Sequence, residues 1–274
     1  MHYKNHNTVI ILMLFMFLFG ISILQAQAFQ RYNEKEDFHK TLSLERDGTF
    51  SLINLNGPVS IVTWNRDEVD IRAEKAVRGS RENLNKIKIE IESSPHRITI
   101  NTVFPKIRTF RGKVSYEIKV PEGLQLEKIR TVNGNVNIHG PVIDVRASTT
   151  NGNISISEAS GQLVFSTTNG NVDTEDIHGE ISAHSTNGSI YLDIDSISDE
   201  ITARTTNGGI SLTIDSKNID ADIEASTTNG RVTIDFPVTI QSGTISKRRL
   251  DGRIGDGGPL ISLKTTNGPI KILN

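Results

Sequence analysis

Thr149-Thr150-Asn151-Gly152 is the stretch of sequence that decides the fold, because the same four residues return along the second half of the chain. Identical copies occupy residues 167–170, 205–208, 227–230 and 265–268, and near copies occupy 131–134 and 185–188. The asparagines lie at positions 133, 151, 169, 187, 207, 229 and 267, so the steps between them are 18, 18, 18, 20, 22 and 38 residues. A short repeat of nearly constant length indicates a stack of equivalent units.

The residues around each Asn-Gly alternate between apolar and polar at constant offsets. Apolar residues lie six and four positions before most of the asparagines and three and five positions after them, and Thr or Ser usually lies two positions before. In the unit around Asn169 these positions are Leu163, Phe165, Val172, Thr174 and Thr167. Alternation with a period of two predicts two strands per unit, each with one buried face, joined at the Asn-Gly.

A unit of 18 to 22 residues cannot bury its own apolar face, so the units are expected to stack. The sequence therefore predicts an all-β, single-stranded β-solenoid, similar to a parallel β-helix and right-handed, with coils of 18–22 residues. Asn and Gly both tolerate a left-handed backbone, which is the expected reason for the turn. Asn amides and buried Thr or Ser hydroxyls are expected to bond along the stack. Two-residue hairpins in an antiparallel sandwich are the alternative.

The N-terminal residues 1–28 are predicted to be a signal peptide. Lys4 precedes 16 nearly continuous apolar residues, Val9 to Leu24, and Ala26-Gln27-Ala28 has the form of a cleavage site. An uncleaved membrane anchor is the less favoured alternative, because a spanning helix usually needs about 20 apolar residues. In both cases the remainder is exported, to the periplasm, the outer membrane surface or the medium.

Three further segments follow. Residues 29–40 are polar and predicted to be a linker, and residues 41–123 form an N-terminal β region that continues or caps the solenoid. A short helix is expected between Glu74 and Lys86, where the alternation stops. Residues 124–274 are the repeat, with an irregular excursion at 243–258, because Lys247 and Arg249 stand there at positions that should point inward.

Composition and charge exclude several classes of function. Cysteine is absent, which excludes disulfides, thiolate metal sites, Cys nucleophiles and lipid attachment. Residues 72–130 carry 14 basic and 7 acidic groups, whereas residues 144–235 carry 4 basic and 15 acidic groups. The predicted export of the chain argues against a nucleic-acid partner, so none is expected. Solvated faces that differ in sign are the favoured interpretation. The alternative is an acidic shaft with basic ends, because residues 236–274 again carry 6 basic and 2 acidic groups.

The closing segment carries a family resemblance. The run Leu250-Asp251-Gly252-Arg253-Ile254-Gly255-Asp256-Gly257-Gly258, followed by Leu260 to Ile272, resembles the end of a bacterial family classed as "putative adhesins" of unknown function. Val120-Pro121, then Asn133-Gly134-Asn135-Val136, is similar to the start of that family's repeats, and the likeness covers residues 42–274. It implies an exported β-solenoid related in form to the head domains of auto-transporter adhesins. The family has no established catalytic residues, so none is carried over.

Acidic residues on outward positions are the candidates for chemistry. Glu175 and Asp193 lie six residues after their asparagines, and Asp195 and Asp215 lie eight after. Neighbouring coils would bring each pair to about 5 Å, a separation found in retaining glycosidases. A calcium site at Asp195 and Asp215 is a weaker form of this hypothesis. Tyr191 is the lone aromatic residue on the outward rows of the central coils, so a sugar-stacking platform is missing there.

The histidines show no converging set of three or four, which a zinc site requires. Five follow the predicted signal peptide, namely His39, His96, His139, His178 and His184. No catalytic, cofactor-binding or metal-binding residue is therefore assigned, and no cofactor is expected.

The favoured hypothesis is a non-enzymatic, exported binding module of the cell envelope or surface, with an unidentified cell-surface, glycan or protein ligand. A carbohydrate-active β-helix enzyme acting on polysaccharide and an envelope assembly module are the alternatives. Self-association through the solenoid ends is expected in the latter, because the chain stops directly after the inward positions Ile270 and Ile272 and would leave an unpaired edge.

Overall fold

The computed structural model describes residues 32–215, 219–239 and 246–274, and the predicted signal peptide lies outside them. The described residues form 23 strands and one short 3₁₀ helix. The first elements are β1 Glu34–Ser43, β2 Thr49–Ile53, β3 Val59–Trp64, β4 Glu68–Val77, the 3₁₀ helix Arg81–Lys86, β5 Lys88–Ser94, β6 Arg97–Val103, β7 Gly112–Pro121, β8 Leu124–Arg130, β9 Val136–His139, β10 Val142–Ile143 and β11 Arg146–Ser148. The remaining strands are β12 Ile154–Ser157, β13 Ala159–Asn169, β14 Val172–Glu175, β15 His178–Asn187, β16 Ile190–Ile194, β17 Ile201–Asn207, β18 Ile210–Ile214, β19 Ala221–Asn229, β20 Val232–Ile234, β21 Arg249–Ile254, β22 Leu260–Asn267 and β23 Ile270–Leu273.

The strands form two large sheets. The front sheet has the order β1-β4-β7-β3-β9-β12-β14-β16-β18-β23-β20. The back sheet has the order β21-β19-β22-β17-β15-β13-β10-β8-β2-β6-β5, and β11 pairs with β8 and β13 beside β10. Within the repeat the neighbouring strands are parallel, and the two strands that flank an Asn-Gly lie in different sheets. The all-β, solenoid-like prediction is confirmed, and the hairpin sandwich is wrong.

The core lies between the two sheets and follows the predicted alternation. Strand β13 alternates buried and exposed residues from Leu163 to Thr167, and Val172 and Thr174 are buried on the opposite strand β14. Equivalent residues of neighbouring coils pair directly, as Leu163 does with Ile181. Each fully buried Leu, Ile or Val side chain contributes about 1.5–3 kcal/mol of transfer free energy, so the stacking of coils stabilises the fold.

Two ladders of side-chain hydrogen bonds run along the stack, as predicted. Each Asn of the marker donates from Nδ2 to the Oδ1 of the Asn in the coil beside it, at 2.6–2.9 Å. Asn56-Gly57 in the N-terminal region aligns with the seven markers and serves as an eighth. The order along this ladder is Asn56, Asn133, Asn151, Asn169, Asn187, Asn207, Asn267 and Asn229. Each buried Thr or Ser two positions earlier donates to the carbonyl of the neighbouring marker glycine, at 2.8–3.0 Å.

The expected reason for glycine in the marker is wrong. No marker Asn has a positive φ, and among the described marker glycines only Gly57 and Gly268 do. The glycines are instead required by close approach of neighbouring coils. A Cβ on Gly170 would lie 1.9 Å from the carbonyl oxygen of Gly152, and the other copies in the repeat have similar values, up to 2.2 Å. Left-handed residues occur at other corners, for example Glu158 and Asp176.

The order of the coils differs from the order of the sequence at both ends. The last coil, β22–β23, is inserted between β17–β18 and β19–β20, so that Asn267 pairs with both Asn207 and Asn229. The expected open edge at Ile270 and Ile272 is therefore wrong, because β23 lies between β18 and β20. Likewise β2–β3 lies between the coil β6–β7 and the coil β8–β9.

Antiparallel strands at the N-terminal end of the front sheet correct two predictions. The predicted linker 29–40 contains most of β1, which pairs with β4 because Phe38 and Leu42 pack against the core. The expected helix is shorter, since Glu74 belongs to β4 and the 3₁₀ helix begins at Arg81.

The excursion 243–258 contains the regular strand β21, antiparallel to β19. Its inward residues are Leu250 and Ile254 rather than Lys247 or Arg249, so no further coil forms there. Within the described residues, no helix is long and apolar enough to cross a membrane.

Candidate functional site

The outward face of β1, β4, β7 and β3 carries a dense set of ionic side chains, which we call the charged face. The antiparallel register aligns Asp37 with Glu74 and Ser115 in one row. A second row contains His39, Arg72, Glu117 and Ser60, and a third contains Thr41, Asp70, Lys119 and Val62. Because side chains alternate between the faces of a strand, residues two apart on each strand meet here.

Asp70 is the centre of this face. Its side chain is only 7% exposed, whereas those of His39 and Arg72 are 58% and 61% exposed. His39 Nε2 donates to Asp70 Oδ1, Thr41 Oγ1 donates to the same oxygen at 3.2 Å, and Arg72 Nε donates to Oδ2 at 3.0 Å. The hydrogen bond from His39 lowers the pKa of Asp70 most, burial opposes this, and Thr41 and Arg72 lower it further. Asp70 therefore holds the exposed imidazole of His39 and the exposed guanidinium of Arg72 in place.

A groove of about 650 Å³ opens over the first two rows, a volume typical of ligand sites. Its lining includes Asp37, Phe38, His39, Arg72, Glu74 and Glu117. Arg72 uses Nε on Asp70, and no other described residue accepts a hydrogen bond from its guanidinium. The remaining N–H groups thus point to solvent from a fixed position, which suits recognition of an anionic group.

The groove continues toward Trp64 at the end of β3. A smaller depression of about 180 Å³, lined by Val62, Arg72 and Lys119 among others, joins the two areas. Trp64 Nε1 donates to the Glu68 carbonyl at 2.8 Å, and the cations of Arg66 and Lys119 lie 4.9 and 5.5 Å from the ring centre. The sequence does not single out Trp64 or Asp70. The one available signal is a lone Trp at an outward position of a strand.

The predicted acidic rows do come together on the front sheet. Burial raises the pKa of Asp193, and the charges of Asp176, Glu175, Asp195 and Asp215 raise it further. Both predicted pairs are therefore close to one carboxyl group, and Asp176 joins them unpredicted. Tyr191 is exposed beside Asp173, whose pKa is raised by burial. Close carboxylates alone supply neither a substrate position nor a metal, and we assign them no reaction.

Three of the histidines lie on strands of the repeat, His139 on β9 and both His178 and His184 on β15. His139 Nδ1 bonds to Ser157 Oγ at 3.1 Å, His178 pairs with Ser160, and His184 pairs with Arg204. His96 is different, because its imidazole and the carboxylates of Glu45 and Asp47 have ligand atoms within 4.8 Å of one another. These three exposed residues are able to hold a metal ion, although exposed acidic groups often gather without one. Parallel pairing of β2 with β6 brings the two turns together, which the sequence spacing does not reveal.

Comparison with known protein families finds a match that covers most of the repeat. Residues 144–273 match the Toastrack DUF4097 family. No curated protein matches the sequence. The structure is similar to a "putative cell adhesion protein" from Clostridium sporogenes, at 11% identity and a TM-score of 0.35, covering 86% of this chain and 99% of that one. It is also similar to a "putative adhesin" from Bacteroides fragilis, at 12% identity and a TM-score of 0.43, covering 88% and 98%. TM-scores below 0.5 do not indicate a shared ligand.

Proposed function

We propose that the protein is a non-enzymatic, exported binding module of the cell envelope or surface, an adhesin that binds a cell-surface glycan through the charged face. The signal peptide predicted at residues 1–28 supports export, and the solenoid-like fold, matched by its family over residues 144–273, suits a surface module. The observation that carries the proposal is Arg72, held by Asp70 in the floor of a groove large enough for one or two sugar rings. The proposal includes a right-handed solenoid with coils of 18–22 residues, related in form to auto-transporter adhesin heads.

The groove combines one positioned cation, Arg72, with the carboxylates of Asp37, Glu74 and Glu117, a mixture that suits a glycan carrying both an acidic group and free hydroxyls. Arg72 offers positioned donors to a carboxylate or phosphate, and Glu117 offers acceptors to sugar hydroxyls. Trp64 and Lys119 extend the surface toward an aromatic ring, which can pack against a sugar face. The basic excess of residues 72–130 would attract such a polymer over longer distances.

A binding screen tests this proposal with a matched pair of variants. Residues 32–274 are screened against acidic and neutral glycans, and the best ligand is then measured with Arg72→Gln and Arg204→Gln. Arg204 is an exposed arginine on the back sheet, so its loss changes the net charge equally. We expect Arg72→Gln to weaken binding by about tenfold and Arg204→Gln to leave it unchanged. Equal effects, or binding to proteins but to no glycan, would overturn the glycan assignment.

Self-association is a second proposal, supported by the exposed ends of the sheets. The edge strands are β1 and β20 in the front sheet and β5 and β21 in the back sheet. Strand β20 has only three residues, and its Val232 and Ile234 are partly buried. Sedimentation at increasing concentration distinguishes a monomer from an assembly module, and a strict monomer would exclude the latter.

A further inference from the structure

The last asparagine of the ladder, Asn229, differs from its counterparts in the hydrogen bonding of the glycine that follows it. In the other seven coils the marker glycine donates its backbone N–H to the carbonyl of the Asn in the neighbouring coil, at 2.8–3.1 Å. Gly170 donates to Asn187 in this way, and Gly268 donates to Asn229. Gly230 has no coil beyond it, and no described residue accepts its N–H. It is also the one marker glycine of the described chain that is exposed.

The Asn229 side chain is at a ladder end as well. Its Nδ2 donates to Asn267 Oδ1 at 2.8 Å, but its own Oδ1 accepts no hydrogen bond from the described residues. In an interior coil both the amide and the following N–H are held; Asn169, for example, donates to Asn151 and accepts from Asn187. Identical local sequences therefore lie in two different environments. Ser-Thr-Thr-Asn-Gly occurs at 148–152, 166–170 and 226–230, and only the last copy ends the stack.

We infer that Asn229 is a site of spontaneous deamidation and that the ladder protects the other Asn-Gly pairs. The Gly230 nitrogen loses its proton and attacks Asn229 Cγ, forming a five-membered succinimide. The Cγ–Nδ2 bond breaks, and the side-chain nitrogen leaves as ammonia with that proton. Water then adds to one of the two imide carbonyls, giving aspartate or isoaspartate. A hydrogen-bonded N–H resists the first step, because its proton and its position are both held by the neighbouring carbonyl.

The surroundings of Asn229 favour this reaction. Thr227 N–H donates to the Arg248 carbonyl and Val232 N–H donates to the Lys247 carbonyl, so two basic residues cross the end of the stack on either side of the turn. Both side chains are exposed, and a positive charge close to the turn would stabilise the deprotonated nitrogen and the developing oxyanion. The product lacks the Nδ2 group that donates to Asn267, and it carries a negative charge beside the segment that contains Lys247 and Arg248. The modification therefore changes β19–β20, the coil that ends the stack, and leaves the interior coils unaltered.

Peptide mass spectrometry of the folded protein tests the inference, with the interior copies as built-in controls. Residues 32–274 are incubated at mildly alkaline pH and digested, and conversion is followed separately at Asn151, Asn169 and Asn229. We expect Asn229 to convert at least about tenfold faster than the other two, which react only through local opening. The same protein in denaturant should convert all three at similar rates, because their local sequences match.

Two further measurements distinguish the cause. Amide hydrogen exchange should show Gly230 to be far less protected than Gly152 and Gly170. Methyl transfer by an isoaspartyl methyltransferase should label the peptide that contains residue 229. Equal conversion of Asn151, Asn169 and Asn229 in the folded protein, or equal protection of the three glycines, would overturn the inference.

Discussion

The interior coils and the N-terminal end of the front sheet use polar groups in opposite ways. In the interior, one Asn and one Thr per coil bond to the same groups in the next coil, so each row is chemically uniform. At the N-terminal end, Asp70 binds three different partners from two strands. The repeat thus satisfies its own polar groups, whereas the end presents unlike charges to solvent. Recognition of a specific ligand needs unlike groups, which is why we place the binding surface where the repeat stops.

The largest expected effect comes from filling the space between two coils. Gly170→Ala would place a Cβ 1.9 Å from the Gly152 carbonyl oxygen. Both positions are fixed by the backbone, so no side-chain rotation relieves the clash. The coils must separate or the turn must distort, so we expect a loss of about 3 kcal/mol or more in the free energy of unfolding. Urea unfolding followed by circular dichroism measures this loss.

Gly123→Ala is the matched control at the other end of the comparison. Gly123 has a φ of 76°, but nothing lies within 4 Å of its added Cβ. It therefore tests left-handed strain without close approach, and we expect a loss of only about 1–2 kcal/mol. If Gly123→Ala proves the more damaging, close approach is not what selects glycine in the marker.

The second effect concerns the buried hydroxyl of the marker. Thr167 is 2% exposed and donates to the Gly152 carbonyl at 2.9 Å, whereas its neighbour Thr168 is exposed. Thr167→Val removes the hydroxyl donor, and the Gly152 carbonyl loses this hydrogen bond. The free energy of unfolding should therefore fall by about 1–2 kcal/mol. Thr168→Val should change it by less than about 0.5 kcal/mol. Thermal or urea unfolding of the two variants separates these cases, and equal losses would contradict the ladder.

The sequence predicts the structure of the repeat well. Inward positions such as Leu163 and Thr167, the parallel register and both ladders follow from a period that every coil repeats. The order of the coils does not follow, because Asn267 fits equally well beside Asn207 or Asn229 and a repeat carries no label of its neighbour.

The charged face is the part of the structure that the sequence does not predict. Strands β1, β4, β7 and β3 are neighbours in space but not in order, so the contact of His39 with Asp70 across 31 residues has no periodic signal. The charged residues of β1 predict a linker, because only Phe38 and Leu42 indicate a strand edge. The acidic rows lie within the repeat, and for that reason their meeting at Asp193 is predictable.

The smallest expected effects concern two carboxylates, Asp70 of the charged face and Asp193 of the repeat, because their ionisation changes the free energy of unfolding in opposite directions. The pKa of Asp70 is below the ordinary aspartate value of about 3.9, mainly through His39, so its ionised form stabilises the fold. That stability is present above the ordinary value and is lost as the pH falls through the lower folded-state pKa. The pKa of Asp193 is raised by burial and by its acidic neighbours. Its ionisation therefore costs stability at neutral pH, and this cost disappears as the pH falls through the raised pKa.

Asn substitutions at the two positions should therefore act in opposite directions. At neutral pH, Asp70→Asn should lower the free energy of unfolding and Asp193→Asn should raise it. Both differences from the wild type should shrink in acid: the first below the ordinary aspartate pKa, the second already as Asp193 takes up its proton above it. Urea unfolding at a series of pH values measures both. A loss of stability in both variants at neutral pH would mean that the interior carboxylate, like Asp70, is held by partners rather than crowded by like charges.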